Sequence, residues 1–334
     1  MAHPLLHVGV RETTAMRRGL EPKSHHQVTI RREVRIEGIG LHSGKPAAVA
    51  LKPALPNTGV IFVRKDLSQP IAIPATFEFV TQTKLATTLG RDGATISTVE
   101  HLLSALKLLG VDNALIEVEG PEVPIMDGSA IAFCEAILAV GFFDQSVPRK
   151  VAAIKKRIEV RKGDKIALIE PASQLKIQAR IEWAHPSIGT QDLSYTLGKS
   201  DYREIARART FGFLKDVEAL KKMGLVQGGS YSNAIVLDEQ RVVNPEGLRY
   251  ADEFVRHKVL DAIGDFALSP LPIVGNVTLL KAGHEIHAEL VQSIFSNPDN
   301  YEVKTLDETE TAVDSALGMA RFLKKTSRVL QGSF

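Results

Sequence analysis

The sequence predicts an α+β fold built from two similar βααβ-type layered domains. Three observations carry this. The 334 residues exceed the ~100–200 of one typical domain. Strand-like clusters are followed by helix-like segments without strict βαβ alternation. The second half also echoes the first. "AAVALKPA" (47–54) and "KIALIEPA" (165–172) are aliphatic strands ending in a charged residue and Pro-Ala. "TVEHLLSALKLLG" and "FVRHKVLDAIGD" both set Val-x-His ahead of an amphipathic helix. "NALIEVEG" and "IVGNVTLLKAG" are strands that follow that helix.

Residues 1–27 show no sustained periodicity and no apolar signal-peptide segment, and read as a flexible extension. Its histidines His3, His7, His25 and His26 are poor ligand candidates, because a flexible tail holds no fixed geometry. The first domain is expected over 28–147. "QVTIRREVRIEGIGLHSGKPAAVALKPA" reads as strands with turns at Gly38–Gly40 and Gly44. "GIGLHSGK" mimics a phosphate loop but has five residues between Gly38 and Gly44, and Pro46 after Lys45. Ser43 stands where a dinucleotide fingerprint needs glycine. Leu102, Leu103, Leu106 and Leu109 mark a helix within Ser97–Gly110, with a possible capping box of Ser97 and Glu100. A strand over Asn113–Glu119, a turn at Asp127–Gly128 and a helix capped by Gly141 follow. "DQSVPRK" around Pro148 reads as a linker to a second domain over 151–325.

Composition narrows the function classes. The 44% hydrophobic and 24% charged content is ordinary for a globular protein. A net charge of +2 makes no electrostatic case for nucleic acid. The single Cys134 excludes an internal disulfide and favours a reducing, cytoplasmic setting. No apolar run reaches the ~20 residues of a membrane span.

The chemistry-bearing residues lie at helix starts. Glu100 is a capping-box partner or a catalytic carboxylate, and His101 beside it has no capping role. In "EFVRHKVLDAIGD", His257, Asp261 and Asp265 are spaced by four, which stacks them on one helix face. They form a solvated polar stripe or part of a metal site. His101 with His257 and Asp261 would make a His₂Asp set, the three-ligand pattern of catalytic rather than structural zinc. Glu100 would then lie near the water that the metal activates. Either His284 or His287 in "LLKAGHEIHAEL" can serve as general acid. Thr210 in "RARTFGFLKDVE" is a cap or an oxyanion donor. "QGGSYSN" is a glycine-rich turn that lets backbone approach a ligand.

In order along the chain, "GIGLHSGK", "STVEHLLSAL", "PIMDGSA", "RARTFGF", "GGSYSNAIV" and "EFVRHKVLDAIGD" resemble the UDP-3-O-acyl-N-acetylglucosamine deacetylases. Those are zinc enzymes of the committed step of lipid A synthesis in Gram-negative bacteria. The resemblance runs from about Gln27 to about Phe322. It implies one zinc ion per chain, with Fe²⁺ as the cellular alternative, held by His101, His257 and Asp261. It implies Glu100 as general base and His284 as proton donor or oxyanion stabiliser, oriented by Asp265. Thr210 matches an oxyanion donor and Lys258 a substrate-contacting lysine beside the metal. Phe211, Phe213, Gly229 and Lys281 match substrate contacts, Lys281 near the diphosphate, and Trp183 falls near the uracil.

The resemblance further implies an active site between the two domains and an insert in the second domain that forms an acyl-chain tunnel. The chain would act as a cytoplasmic monomer on a small acylated UDP-sugar. It departs from the family in its long N-terminal extension and in Ala86, where some members carry cysteine. Two rival readings are a non-catalytic sugar-nucleotide-binding module with structural zinc, and a zinc amidohydrolase acting on another amide. The missing cysteine ligands and the flanking acid and base weigh against the first. The tunnel lining decides the second.

Overall fold

The structure, a computed structural model, describes residues 25–306. The first half runs through β1 (His26–Ile30), β2 (Val34–Ile39), β3 (Pro46–Pro53), β4 (Val60–Arg64) and β5 (Ile71–Pro74). Three short strands follow: β6 (Val80–Gln82), β7 (Thr88–Arg91) and β8 (Ala94–Ile96). Helix α1 (Glu100–Leu108), β9 (Ala114–Glu119), α2 (Ile131–Val140) and β10 (Phe142–Pro148) complete it. The second half has β11 (Lys150–Ile154), β12 (Ile158–Lys162), β13 (Lys165–Glu170), β14 (Lys176–Trp183) and β15 (Gly189–Thr196). An inserted stretch then carries α3 (Arg203–Ala206), β16 (Phe211–Phe213), α4 (Leu214–Lys222) and β17 (Ile235–Leu237). The chain closes with α5 (Glu253–Phe266), β18 (Ile273–Val274), β19 (Asn276–Leu280), α6 (His284–Phe295) and β20 (Tyr301–Thr305).

The repeat is explicit in the sheets. One has strand order β2-β3-β9-β4-β5 and the other β12-β13-β19-β14-β15. In each, the strand that follows the helix slots into the middle. It pairs antiparallel with one neighbour (β3–β9, β13–β19) and parallel with the other (β4–β9, β14–β19). The three sequence echoes fall on β3 and β13, on α1 and α5, and on β9 and β19. Alternating burial along β9 and β13 turns one face of each sheet inward, as period-2 patterning requires. The core is continuous, with Leu102 and Leu106 of α1 in the same cluster as Val259 and Ile263 of α5.

Helices α1 and α5 pack on each other. Twelve of the fourteen α5 residues are buried, so this helix has no solvated face. The crossing point is Gly264. A Cβ there would overlap the carbonyl of Glu100 and lie 2.9 Å from its Cα. Alanine in a free helix is favoured over glycine by about 1 kcal/mol. At this crossing the sign reverses. Gly264→Ala is expected to lower the unfolding free energy by about 1–3 kcal/mol, the usual cost of overpacking, as read from urea denaturation.

Several expectations are corrected. The capping box is not formed: α1 starts at Glu100, its N-cap residue is Val99, and no side chain caps it. The chain enters the helix through Thr98 at φ +59°, which turns Ser97 away. The Ser97 hydroxyl accepts from Thr88 Oγ1 instead, at 3.1 Å. "DQSVPRK" is not a free linker, because β10 pairs antiparallel with β1 and β11 starts at Lys150. Arg149 between them donates to Asp112 at 2.7 and 2.8 Å. Gly38 lies inside β2 rather than in a turn. Of the expected extension, residues 1–24, with His3 and His7, lie outside the described residues, as does the expected stretch from 307 to 325. Residues 25–27 are described. His26 starts β1 and its ring pairs with Asp144 at 3.0 Å, while Gln27 donates to Asn57.

Among the described residues, no helix is long and apolar enough to cross a membrane.

Candidate active site

The α1–α5 crossing brings the predicted histidines together. His101 sits in the first turn of α1, and His257 and Asp261 lie one turn apart on α5. Their donor atoms all fall within 4.8 Å of one another. Asp261 Oδ1 is 3.2 Å from His257 Nε2 and 3.7 Å from His101 Nε2. The two rings stand nearly perpendicular at 85°, with centroids 5.1 Å apart. His257 and Asp261 are each 2% exposed, which rules out a solvated stripe.

The charges and lone pairs of this set point to a cation. His257 Nδ1 lies 3.1 Å from the Ala208 carbonyl. A carbonyl only accepts, so Nδ1 carries the proton and Nε2 turns its lone pair toward Asp261. Burial and the neighbouring His257 push the His101 imidazole down to about 3, so it is neutral. Burial would raise the Asp261 carboxyl, but His257 and Lys258 hold it well below the usual range. Its Oδ1 is nonetheless buried without a hydrogen-bond partner. An ionised oxygen facing the His257 lone pair, with a second neutral imidazole beside it in a dry site, is costly unless a positive ion sits between them. The residues present therefore fit a metal with three protein donors. Asp261 Oδ2 is occupied separately, accepting from Lys258 Nζ at 2.8 Å.

A second group, Asp265, His284 and His287, also clusters closely. Here both carboxylate oxygens are satisfied. Oδ2 accepts from His284 Nδ1 and from His287 Nδ1, each at 2.8 Å, and Oδ1 accepts from the Thr87 hydroxyl at 2.6 Å. This is a hydrogen-bonded cluster. Burial would push His284 down, but Asp265 outweighs it and holds the imidazole up at about 9. A protonated His284 has its Nε2 4.0 Å from Asp261 Oδ2 and so stands beside the metal set. His287 is fully buried on the far side of Asp265, against Phe266, and of the two histidines only His284 borders that set. Burial pushes the Glu100 carboxyl up to about 8. Its Oε2 accepts from the Thr87 backbone N–H at 3.0 Å.

The remaining expected residues come from the second half. Thr210 directly precedes β16, and its backbone bonds Gly128 of the first-half "MDGS" turn and Ile235. Its hydroxyl has no hydrogen-bond partner among the described residues. Phe211 packs edge-on to Trp183, 5.5 Å between centroids, and lies 6.4 Å from the His257 ring, while Lys258 Nζ sits 5.5 Å over its face. Phe213 is farther out, against His185. Gly229 closes a turn on the Val226 carbonyl. Lys281, at the end of β19, pairs with Glu182 at 2.7 Å and Asp164 at 3.1 Å.

Some partners carried no sequence signal. Arg209 Nε donates to Glu253 at 2.9 Å, and the two are 2% and 0% exposed. Glu253 also accepts from the backbone of Arg209 and of Arg249, while Arg249 pairs with Asp127 at 2.8 Å. This network ties the Ala208–Thr210 segment, just ahead of β16, to the start of α5 and to the first half. Thr87 was invisible because its role depends on chain segments 13 and 178 residues away.

Comparisons with known proteins place the chain in a family. The family described as UDP-3-O-acyl N-acetylglycosamine deacetylase matches residues 27–296. The UDP-3-O-acyl-N-acetylglucosamine deacetylase of Myxococcus xanthus (strain DK1622) is 49% identical over 285 residues, covering 85% of this chain and 91% of that protein. That of Bdellovibrio bacteriovorus is 46% identical over 276 residues, covering 82% and 91%. With the match spanning both repeats and every residue of the metal set, the chain belongs to the UDP-3-O-acyl N-acetylglycosamine deacetylase family.

Proposed function

We propose that this chain is a zinc-dependent deacetylase that removes acetate from the 2-acetamido group of UDP-3-O-acyl-N-acetylglucosamine, the committed step of lipid A biosynthesis. The observation that carries the reading is the buried, unpartnered Asp261 Oδ1 facing His101 and His257, with Glu100 and a charged His284 alongside. His101, His257 and Asp261 hold the ion. When bound, zinc supplies Lewis-acid polarisation of the amide carbonyl and activation of a water. Glu100 takes a proton from the attacking water as its oxygen bonds to the carbonyl carbon. Thr210 donates toward the developing oxyanion, and Lys258 contacts the substrate beside the metal. Asp265 keeps His284 charged and oriented, and His284 gives its proton to the amine as the C–N bond breaks. The products are acetate and the free 2-amino sugar.

The domain division near Pro148, with halves over 28–147 and 151–325, belongs to the same reading. The stretch between β15 and α5 is more than twice as long as the matching stretch between β5 and α1. Leu214 of α4 and Met223, just past its end, remain exposed there, which supports an apolar lining for the acyl chain. Phe211, Phe213, Gly229, Trp183 and Lys281 are assigned to the substrate, with Lys281 exchanging its carboxylate partners for the diphosphate. The enzyme acts as a cytoplasmic monomer.

The test is acetate release from UDP-3-O-acyl-N-acetylglucosamine by the purified protein, before and after chelation. Activity is expected to vanish on chelation while far-UV circular dichroism stays unchanged, and to return with zinc. Iron(II) added back in parallel shows whether it also supports the reaction. Loss of the fold with the metal would instead favour the structural-zinc module. A folded, zinc-loaded protein that releases no acetate would overturn the substrate.

A further inference from the structure

We propose that Thr87 is a positioning residue that fixes the proton acceptor and the proton donor relative to each other across the two halves of the chain. The proposal rests on the assignment of Glu100 and His284 above. Thr87 is 1% exposed and lies just ahead of β7, in the first half. Its backbone N–H donates to Glu100 Oε2 at 3.0 Å. Its hydroxyl donates to Asp265 Oδ1 at 2.6 Å, and Asp265 orients His284 through its other oxygen. One residue thus holds the base directly and the acid through one carboxylate.

The rest of the surroundings point the same way. The Thr87 carbonyl accepts from the N–H of Val99, the residue that leads into α1. Thr87 therefore brackets the first turn of the helix that carries Glu100 and His101. His287 donates to Asp265 Oδ2 alongside His284, so the carboxylate has three donors from two segments, the first turn of α6 and the Thr87 loop. With three fixed bonds, Asp265 has one orientation, and so has the His284 ring. A freely rotating carboxylate would let that ring swing between Asp265 and solvent. Partners of this kind, once removed, typically cost about 10–100-fold in activity.

Thr87→Val keeps the shape and the backbone N–H to Glu100 and deletes only the hydroxyl. It is expected to lower kcat for acetate release about 10–100-fold, with KM within about twofold and metal content unchanged. Thr87→Ser, which keeps the hydroxyl, is expected to restore most of kcat. Thr87→Ala, a smaller side chain without the hydroxyl, should behave as Val does and guards against a packing fault peculiar to valine. A second readout needs no turnover. The downfield Nδ1–H proton resonances of His284 and His287, assigned in the zinc-free protein, should move in Thr87→Val and return in Thr87→Ser. Wild-type kcat in both Val and Ala variants of an active enzyme, or unmoved resonances, overturns the proposal. A wild-type protein with no deacetylase activity overturns the function instead, and the resonances still decide the geometry.

Discussion

Glu100→Gln is expected to reduce acetate release by about 10²–10⁴-fold while the protein keeps its metal and its fold, the range a positioned general base contributes. The two side chains have the same shape. Gln retains an oxygen that can accept from the Thr87 N–H, so the local hydrogen bond survives. What is lost is the capacity to take a proton from water. Nearby carboxylates do not replace it. Both oxygens of Asp265 are committed to Thr87, His284 and His287, and Asp261 is directed at the histidines. Steady-state kinetics together with metal analysis check this. Full activity in the variant would remove Glu100 from the base role and leave the metal set intact. A drop caused by lost metal would show up in the metal content and would mean that Glu100 supports the site rather than the proton transfer.

The second large effect is on stability. Glu253→Ala is expected to cost about 3–5 kcal/mol, because it strands the buried Arg209 guanidinium. Arg209 keeps Glu246 and the Gly247 carbonyl, but Glu246 is half exposed at 52%. Glu253 itself holds four donor groups, from Arg209 and from the Arg249 backbone. Its loss frees the start of α5 from the segment ahead of β16 whose Ala208 carbonyl orients His257. Metal affinity is therefore expected to fall with stability. The paired replacement Arg209→Met with Glu253→Leu removes both charges, and should recover most of the stability without restoring full metal affinity. Urea denaturation and a metal titration on the three proteins separate these effects. An Ala variant as stable as the parent would mean that solvent reaches Arg209.

The repeat was legible in the chain because its signals are local. Short echoes such as "AAVALKPA" and "KIALIEPA" are strand patterns of period 2, and a strand face is written into consecutive residues. His257 and Asp261 were legible for the same reason, since a spacing of four on a helix places side chains on one face whatever surrounds it. The capping box was also a local signal and was overturned. Thr98 in the left-handed region, held by its hydroxyl to Glu122, changes the approach to α1, and no spacing rule carries that information.

By itself, then, the sequence determined two layered α+β repeats, two helix starts carrying histidine, and a three-donor set without cysteine. The tertiary structure decided two of the rival readings, removing the capping box at Glu100 and the solvated stripe on α5. Burial excluded a solvated face on α5, because ionised groups at 2% exposure need partners that a solvated face does not. The close passage of Gly264 over Glu100 brought the two helices near enough for His101 to meet His257. Thr87, His287 and the Arg209–Glu253 pair acquired their roles only there. A hydrogen bond between segments far apart in the chain depends on where the backbone returns, and that is set by the packing of the whole core rather than by any stretch of it.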